Sequence, residues 1–115
     1  MVNKNRLIFL GTGGGRHVML AQVRKTGGIC VELDGKKFII DPGPGALVNA
    51  RQIKLNPESW DGIFLSHLHP DNSSDADALL DGMKSPFIVA EKRCVKPSKD
   101  FYPCISKYHQ EKAKV

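Results

Sequence analysis

Gly62-Ile63-Phe64-Leu65 is apolar at every side-chain position and runs without a spacer into Ser66-His67-Leu68-His69-Pro70-Asp71-Asn72. A strand apolar on both faces belongs inside a sheet, covered on each side. Whatever this chain folds into must therefore present two imidazoles, a carboxylate and an amide at one end of a central strand. His67 and His69 are two residues apart, so in extended backbone both side chains leave the same face. Pro70 stiffens the turn, and Asp71 comes back towards the imidazoles. Neutral imidazole nitrogen and carboxylate oxygen are the usual ligands of a catalytic Zn²⁺, which keeps one position open for water. The residues thus read as a metal site made of His67, His69 and Asp71.

The remaining pattern surrounds that strand with a layered α/β arrangement. Leu7-Ile8-Phe9-Leu10 reads as a buried strand that stops at Gly11-Thr12-Gly13-Gly14-Gly15. The glycine spacing fits neither a dinucleotide loop nor a P-loop, and a tight loop leading to a hairpin is expected instead. Ile29, Val31 and Leu33 alternate with Cys30 and Glu32; Asp34-Gly35 supplies a two-residue turn, and Phe38 to Ile40 returns. Asp41-Pro42-Gly43-Pro44-Gly45 bends the chain before a short helix over residues 46–53, with Leu47, Ala50 and Ile53 inward. Ser74-x-x-Asp77 resembles a capping box. Ala76, Leu79, Leu80 and Met83 then form an apolar stripe for a helix on the sheet. Phe87-Ile88-Val89 reads as another strand, and Ile105 to Lys112 as a terminal helix. No linker or repeat divides the 115 residues, so one domain spanning 1–115 is expected.

Composition narrows the function classes. Neither the 41% hydrophobic content nor the charge pattern is biased, and the net charge of +5 is mild. Its excess lies near the C-terminus (Lys92, Arg93, Lys96, Lys99, Lys107, Lys112, Lys114) and reads as a solvated face. Nucleic acid is thus a weakly supported partner. Cys30, Cys94 and Cys104 share no metal or disulfide spacing, which suits reduced thiols in a cytoplasmic protein. The apolar run 7–10 is too short for a signal core or a membrane span.

Leu65-Ser66-His67-Leu68-His69-Pro70-Asp71-Asn72, followed by Asp75, resembles the HxHxDH metal-binding signature of the metallo-β-lactamase-fold hydrolases. The glycine-rich first turn, the hairpin and Phe38-Ile39-Ile40-Asp41-Pro42-Gly43 fall in that family's order. The glycine-rich opening is most similar to the branch with RNA-processing and phosphodiester-cleaving members. The resemblance spans about residues 6–83. It implies a four-layered αββα fold of which about the first ββα half is present. It also implies divalent metal (Zn²⁺ first, Mn²⁺ or Fe²⁺ as alternatives), with His67 and His69 as ligands of a first ion and Asp71 as a ligand of a second. Asp71 would hold or deprotonate the water that attacks an ester, amide or phosphodiester. Asp41 would orient the histidine loop from behind or serve simply as a turn residue, and Gly13, Gly14 and Gly15 would form the substrate loop.

Two departures shape the expectation. Asn72 stands where the signature has its last histidine, and an amide is a poor zinc ligand, so at most one tightly held metal is expected per chain. The family's remaining ligands belong to a second half, which residues 1–115 do not supply; His109 sits in a polar helical context and reads as a surface residue. Without that half, the inner sheet face is left in water at about 25 cal/mol per Å². A homodimer, or a missing C-terminal half, would cover it. The alternative function is a truncated, catalytically weak metal-binding or interaction module that dimerises through this sheet.

Overall fold

In the computed structural model, residues 5–11, 13, 15–22, 25, 27–99 and 102–115 are described. Five strands, β1 (Arg6–Phe9), β2 (Ile29–Leu33), β3 (Lys36–Ile40), β4 (Gly62–Leu65) and β5 (Phe87–Ala90), form one sheet in sequence order. The first three are antiparallel, and β3, β4 and β5 run parallel. The β2–β3 hairpin turns on Asp34 and Gly35, both at positive φ as a two-residue connection requires. The Lys114 segment adds a parallel bridge to the outer edge at Phe87.

The helices are α1 (Arg16–Ala21), α2 (Ala46–Gln52), α3 (Pro70–Ser73), α4 (Ala76–Gly82) and α5 (Lys107–Lys112). Parity along the strands sorts the sheet into two faces. Cys30, Ile39, Ile63, Leu65 and Ile88 point one way and join Ala46, Ala50, Ala76, Leu79, Leu80 and Met83 in a single cluster. The expected stripe on α4 is thus fully buried, with Leu80 and Ala76 at 0% exposure. The other face carries a Phe38–Phe64–Phe87 cluster with ring centroids 4.9–6.0 Å apart. Gly62 is required there, because a Cβ at that position would stand 2.4 Å from the Phe87 ring. Around those rings Leu7, Phe9, Leu33 and Val89 are exposed, Phe9 by 60%. One side of the sheet is therefore packed and the other is an open apolar surface.

Several local expectations are corrected. The first strand is not buried: it is a sheet edge, and Leu7 and Phe9 face outward while Leu10, just beyond it, is buried. The helix α1 lies between the glycine loop and the hairpin, where no helix was expected. Ile53 is exposed at the end of α2, whereas Leu47 and Ala50 do pack on the core. The capping box does not form. Ser74 Oγ instead bonds back to the Pro70 carbonyl, α4 begins after Asp75, and Asp77 accepts the Ser106 N–H at 3.0 Å. Lys112 is not purely solvated either, since its ammonium donates to the Leu80 carbonyl at 2.9 Å. That places a cation on the last turn of α4, where it opposes the helix dipole favourably.

Candidate metal centre

β4 ends at Leu65 on the edge shared by the ends of β3 and β5, and the loop that follows carries the candidate ligands. One ligand atom from each of His67, His69 and Asp71 lies within 4.8 Å of the others, with His69 exposed and the other two half-buried. The imidazole planes are nearly perpendicular, with centroids 4.8 Å apart. Ligands around one zinc ion at about 2.0–2.2 Å stand roughly 3.3 Å from one another, so a small inward movement would suffice. Two nitrogens and one oxygen on an open rim, leaving solvent-facing positions, fit a divalent cation with an exchangeable site.

The loop is held from below. Asp41 follows β3 directly, with φ of 49°, and its backbone N–H donates to the Phe64 carbonyl at 2.9 Å. Its carboxylate accepts twice from Ser66: from the backbone N–H at Oδ1 and from the hydroxyl at Oδ2, both 2.7 Å. Ser66 Oγ also contacts His67 Nδ1 at 2.9 Å. Asp41 is thus tied to the residue just before the first histidine, behind the loop that carries the candidate ligands. Ser73 is buried, and its hydroxyl donates to the carbonyls of Leu68 and His69, fixing the backbone between the two histidines. Asp75 Oδ2 accepts the Leu47 N–H at 2.9 Å, tying the end of this loop to α2.

The glycine loop reaches the same rim. The Gly15 N–H donates to Asp71 Oδ2 at 3.0 Å, and Gly13 is buried, its N–H bonded to the Lys25 carbonyl. Gly14 lies outside the described residues. A depression bounded by Gly15, Met19, His69, Pro70 and Asp71 opens on the cluster.

Asn72 donates its backbone N–H to the His69 carbonyl and places its side-chain nitrogen 2.9 Å from His67 Nε2. His109 is corrected from a surface residue: its side chain is 15% exposed, and its ring contacts Asp77 at 3.2 Å and Asp81 at 3.1 Å. It docks α5 on α4.

Two contributors had no signal in the residue pattern. Gly27, at φ +69°, sits under both turns of the site: a Cβ there would stand 2.7 Å from Gly43 N, 2.8 Å from the Asp71 carbonyl and 2.9 Å from that of Asp41. Ser66 was visible only as the residue before the first histidine, and its bond to Asp41 spans 25 positions of chain. No helix among the described residues is long and apolar enough to cross a membrane.

A family model, the metallo-beta-lactamase superfamily, matches residues 29–112. An uncharacterized Methanocaldococcus jannaschii protein, MJ1374, is 35% identical, the match covering 92% of this chain and 42% of that one. The ribonuclease Z of Thermococcus kodakarensis is 32% identical over 67% of this chain and 24% of its own length. Among solved structures, the short form of human tRNase Z superposes with a TM-score of 0.60 at 23% identity, over 71% of this chain and 32% of that one. The chain thus spans less than half the length of the relatives it matches. With a half-covered sheet, its rim of imidazole and carboxylate, and a family match over most of its residues, the chain belongs to the metallo-β-lactamase superfamily.

Proposed function

We propose that this chain is the N-terminal, metal-holding part of a hydrolase that attacks a phosphodiester with an activated water. The observation that carries the reading is the convergence of His67, His69 and Asp71 ligand atoms within 4.8 Å at the end of the central strand. A divalent metal in that cluster, with Zn²⁺ the first choice and Mn²⁺ or Fe²⁺ next, would lower the pKa of a bound water from 15.7 to about 7. His67 and His69 would hold the cation. Asp71, oriented by the Gly15 N–H, would position the attacking water and take its proton. The glycine loop, through Gly13, Gly14 and Gly15, would lie against the substrate. Similarity to proteins named ribonuclease Z supports a phosphodiester over a carboxylic ester or amide as the bond attacked. A cytoplasmic setting accords with it, as the thiols of Cys30, Cys94 and Cys104 are unbridged.

A second reading draws on the open sheet face. Leu7, Phe9, Leu33 and Val89 border the Phe38–Phe64–Phe87 cluster in water, and uncovered apolar area costs about 25 cal/mol per Å². Residues 1–115 would then act as one domain whose open sheet is met by a second copy or by a C-terminal half, with weak activity alone. Light scattering at micromolar concentration gives a dimer on this reading; a clean folded monomer refutes the second-copy form.

The hydrolase reading is tested by turnover of bis(p-nitrophenyl) phosphate with Zn²⁺ or Mn²⁺, with and without chelator, beside Asp71→Ala. Activity that disappears with both supports it. Activity that survives Asp71→Ala refutes it. Elemental analysis after gel filtration is expected to return at most one metal per chain.

A further inference from the structure

Both ring nitrogens of His67 are engaged: Nδ1 lies 2.9 Å from Ser66 Oγ, and Nε2 lies 2.9 Å from the Asn72 amide nitrogen. The direction of each bond follows from a count of protons. Ser66 has one hydroxyl proton and donates it to Asp41 Oδ2 at 2.7 Å, because a carboxylate can only accept. Ser66 Oγ therefore accepts from His67, and the ring proton of the neutral imidazole sits on Nδ1. Nε2 is left with a lone pair, and the Asn72 N–H fills it.

We propose that Asn72 is a built-in competitor for the metal: its amide caps the lone pair through which His67 would ligate, and so weakens cation binding at the cluster. The proposal rests on the metal reading above. His67 has no second route to a cation, because Asp41 and Ser66 hold the Nδ1 proton in place. Asn72 is half-buried and anchored by its backbone N–H to the His69 carbonyl at 2.9 Å, so its amide is presented to Nε2 rather than to bulk water. Ser66 and Asp41 are positioning residues in this scheme: they aim the lone pair, and Asn72 occupies it. The residue that replaces the family signature's last histidine thus does more than omit a ligand for a second metal. It also lowers affinity at the first.

A net intramolecular hydrogen bond is worth about 1 kcal/mol, which corresponds to about fivefold in a dissociation constant. Asn72→Leu keeps the branching and removes the donor; Asn72→Ala removes the group. Each is expected to bind Zn²⁺ about fivefold more tightly than the unaltered chain in competition with a chromophoric chelator, with unchanged circular dichroism. Equal or weaker binding by the folded variants overturns the proposal while leaving the metal reading intact. Zinc held by neither the unaltered chain nor the variants refutes the metal reading, and the proposal with it. Should neither variant fold, long-range ¹H–¹⁵N spectra of the unaltered metal-free protein decide. A His67 ring protonated at Nδ1, with a hydrogen-bonded unprotonated Nε2, supports the proposal, and protonation at Nε2 overturns it.

Discussion

Gly27→Ala should damage both the fold and the site, although Gly27 is in neither the metal cluster nor the core. At φ +69° an L side chain suffers the left-handed penalty, about 1–2 kcal/mol. The added Cβ also meets three backbone atoms closer than 3.0 Å: Gly43 N, the Asp71 carbonyl and the Asp41 carbonyl. Backbone atoms cannot rotate aside as a side chain would, so the Asp41–Gly43 turn and the Asp71 helix must separate. Overpacking of that kind costs about 1–3 kcal/mol. The sum, about 2–5 kcal/mol, is a large part of the stability of a small domain and should lower the melting temperature by about 10 °C or more. Urea denaturation measures the energy, and Zn²⁺ titration of the still-folded fraction measures the site. Gly82→Ala is the control, because nothing lies within 4 Å of a Cβ there and alanine is the better helix former. If Gly27→Ala unfolds within about 0.5 kcal/mol of the unaltered chain and binds zinc equally, the wedge has no structural role and the account of how the two turns are held is wrong.

Asp41→Asn should reverse the proton order along Asp41, Ser66 and His67. The new amide would donate to Ser66 Oγ, whose own proton would turn to His67 Nδ1, and zinc affinity should fall about tenfold or more in a chelator competition. Burial pushes the Cys30 and Cys94 thiols up to about 12 from an ordinary 9.0. Both states hold these protons below pH 9, so the stability they contribute is complete there. Between pH 9 and 12 the unfolded chain releases them first, so stability falls as pH rises. Urea midpoints at pH 8 and 10.5 check this, and Cys30→Val should flatten the slope. Ile63→Ala, at a fully buried position of the central strand, should cost about 2–5 kcal/mol by urea denaturation with no change in metal stoichiometry.

Features under short-range control were legible in the residue pattern alone. The β2–β3 hairpin follows from period-two alternation and Asp34-Gly35, and the buried stripe of α4 follows from the spacing of Ala76, Leu79, Leu80 and Met83. The gathering of His67, His69 and Asp71 follows from their spacing of two after a strand. Tertiary structure decided which apolar residues are buried. Leu7-Ile8-Phe9 is as hydrophobic as Gly62-Ile63-Phe64, yet the first is an edge and the second is central, because sheet position depends on partners far along the chain. It also decided how Asp77 and His109 are used: each satisfies a group on another element, and local pattern carries no record of such partners. The same holds for Asp41, Ser66 and Gly27. A hydrogen bond across 25 residues, or a close approach that only a missing Cβ permits, exists once the backbone has closed on itself and nowhere before.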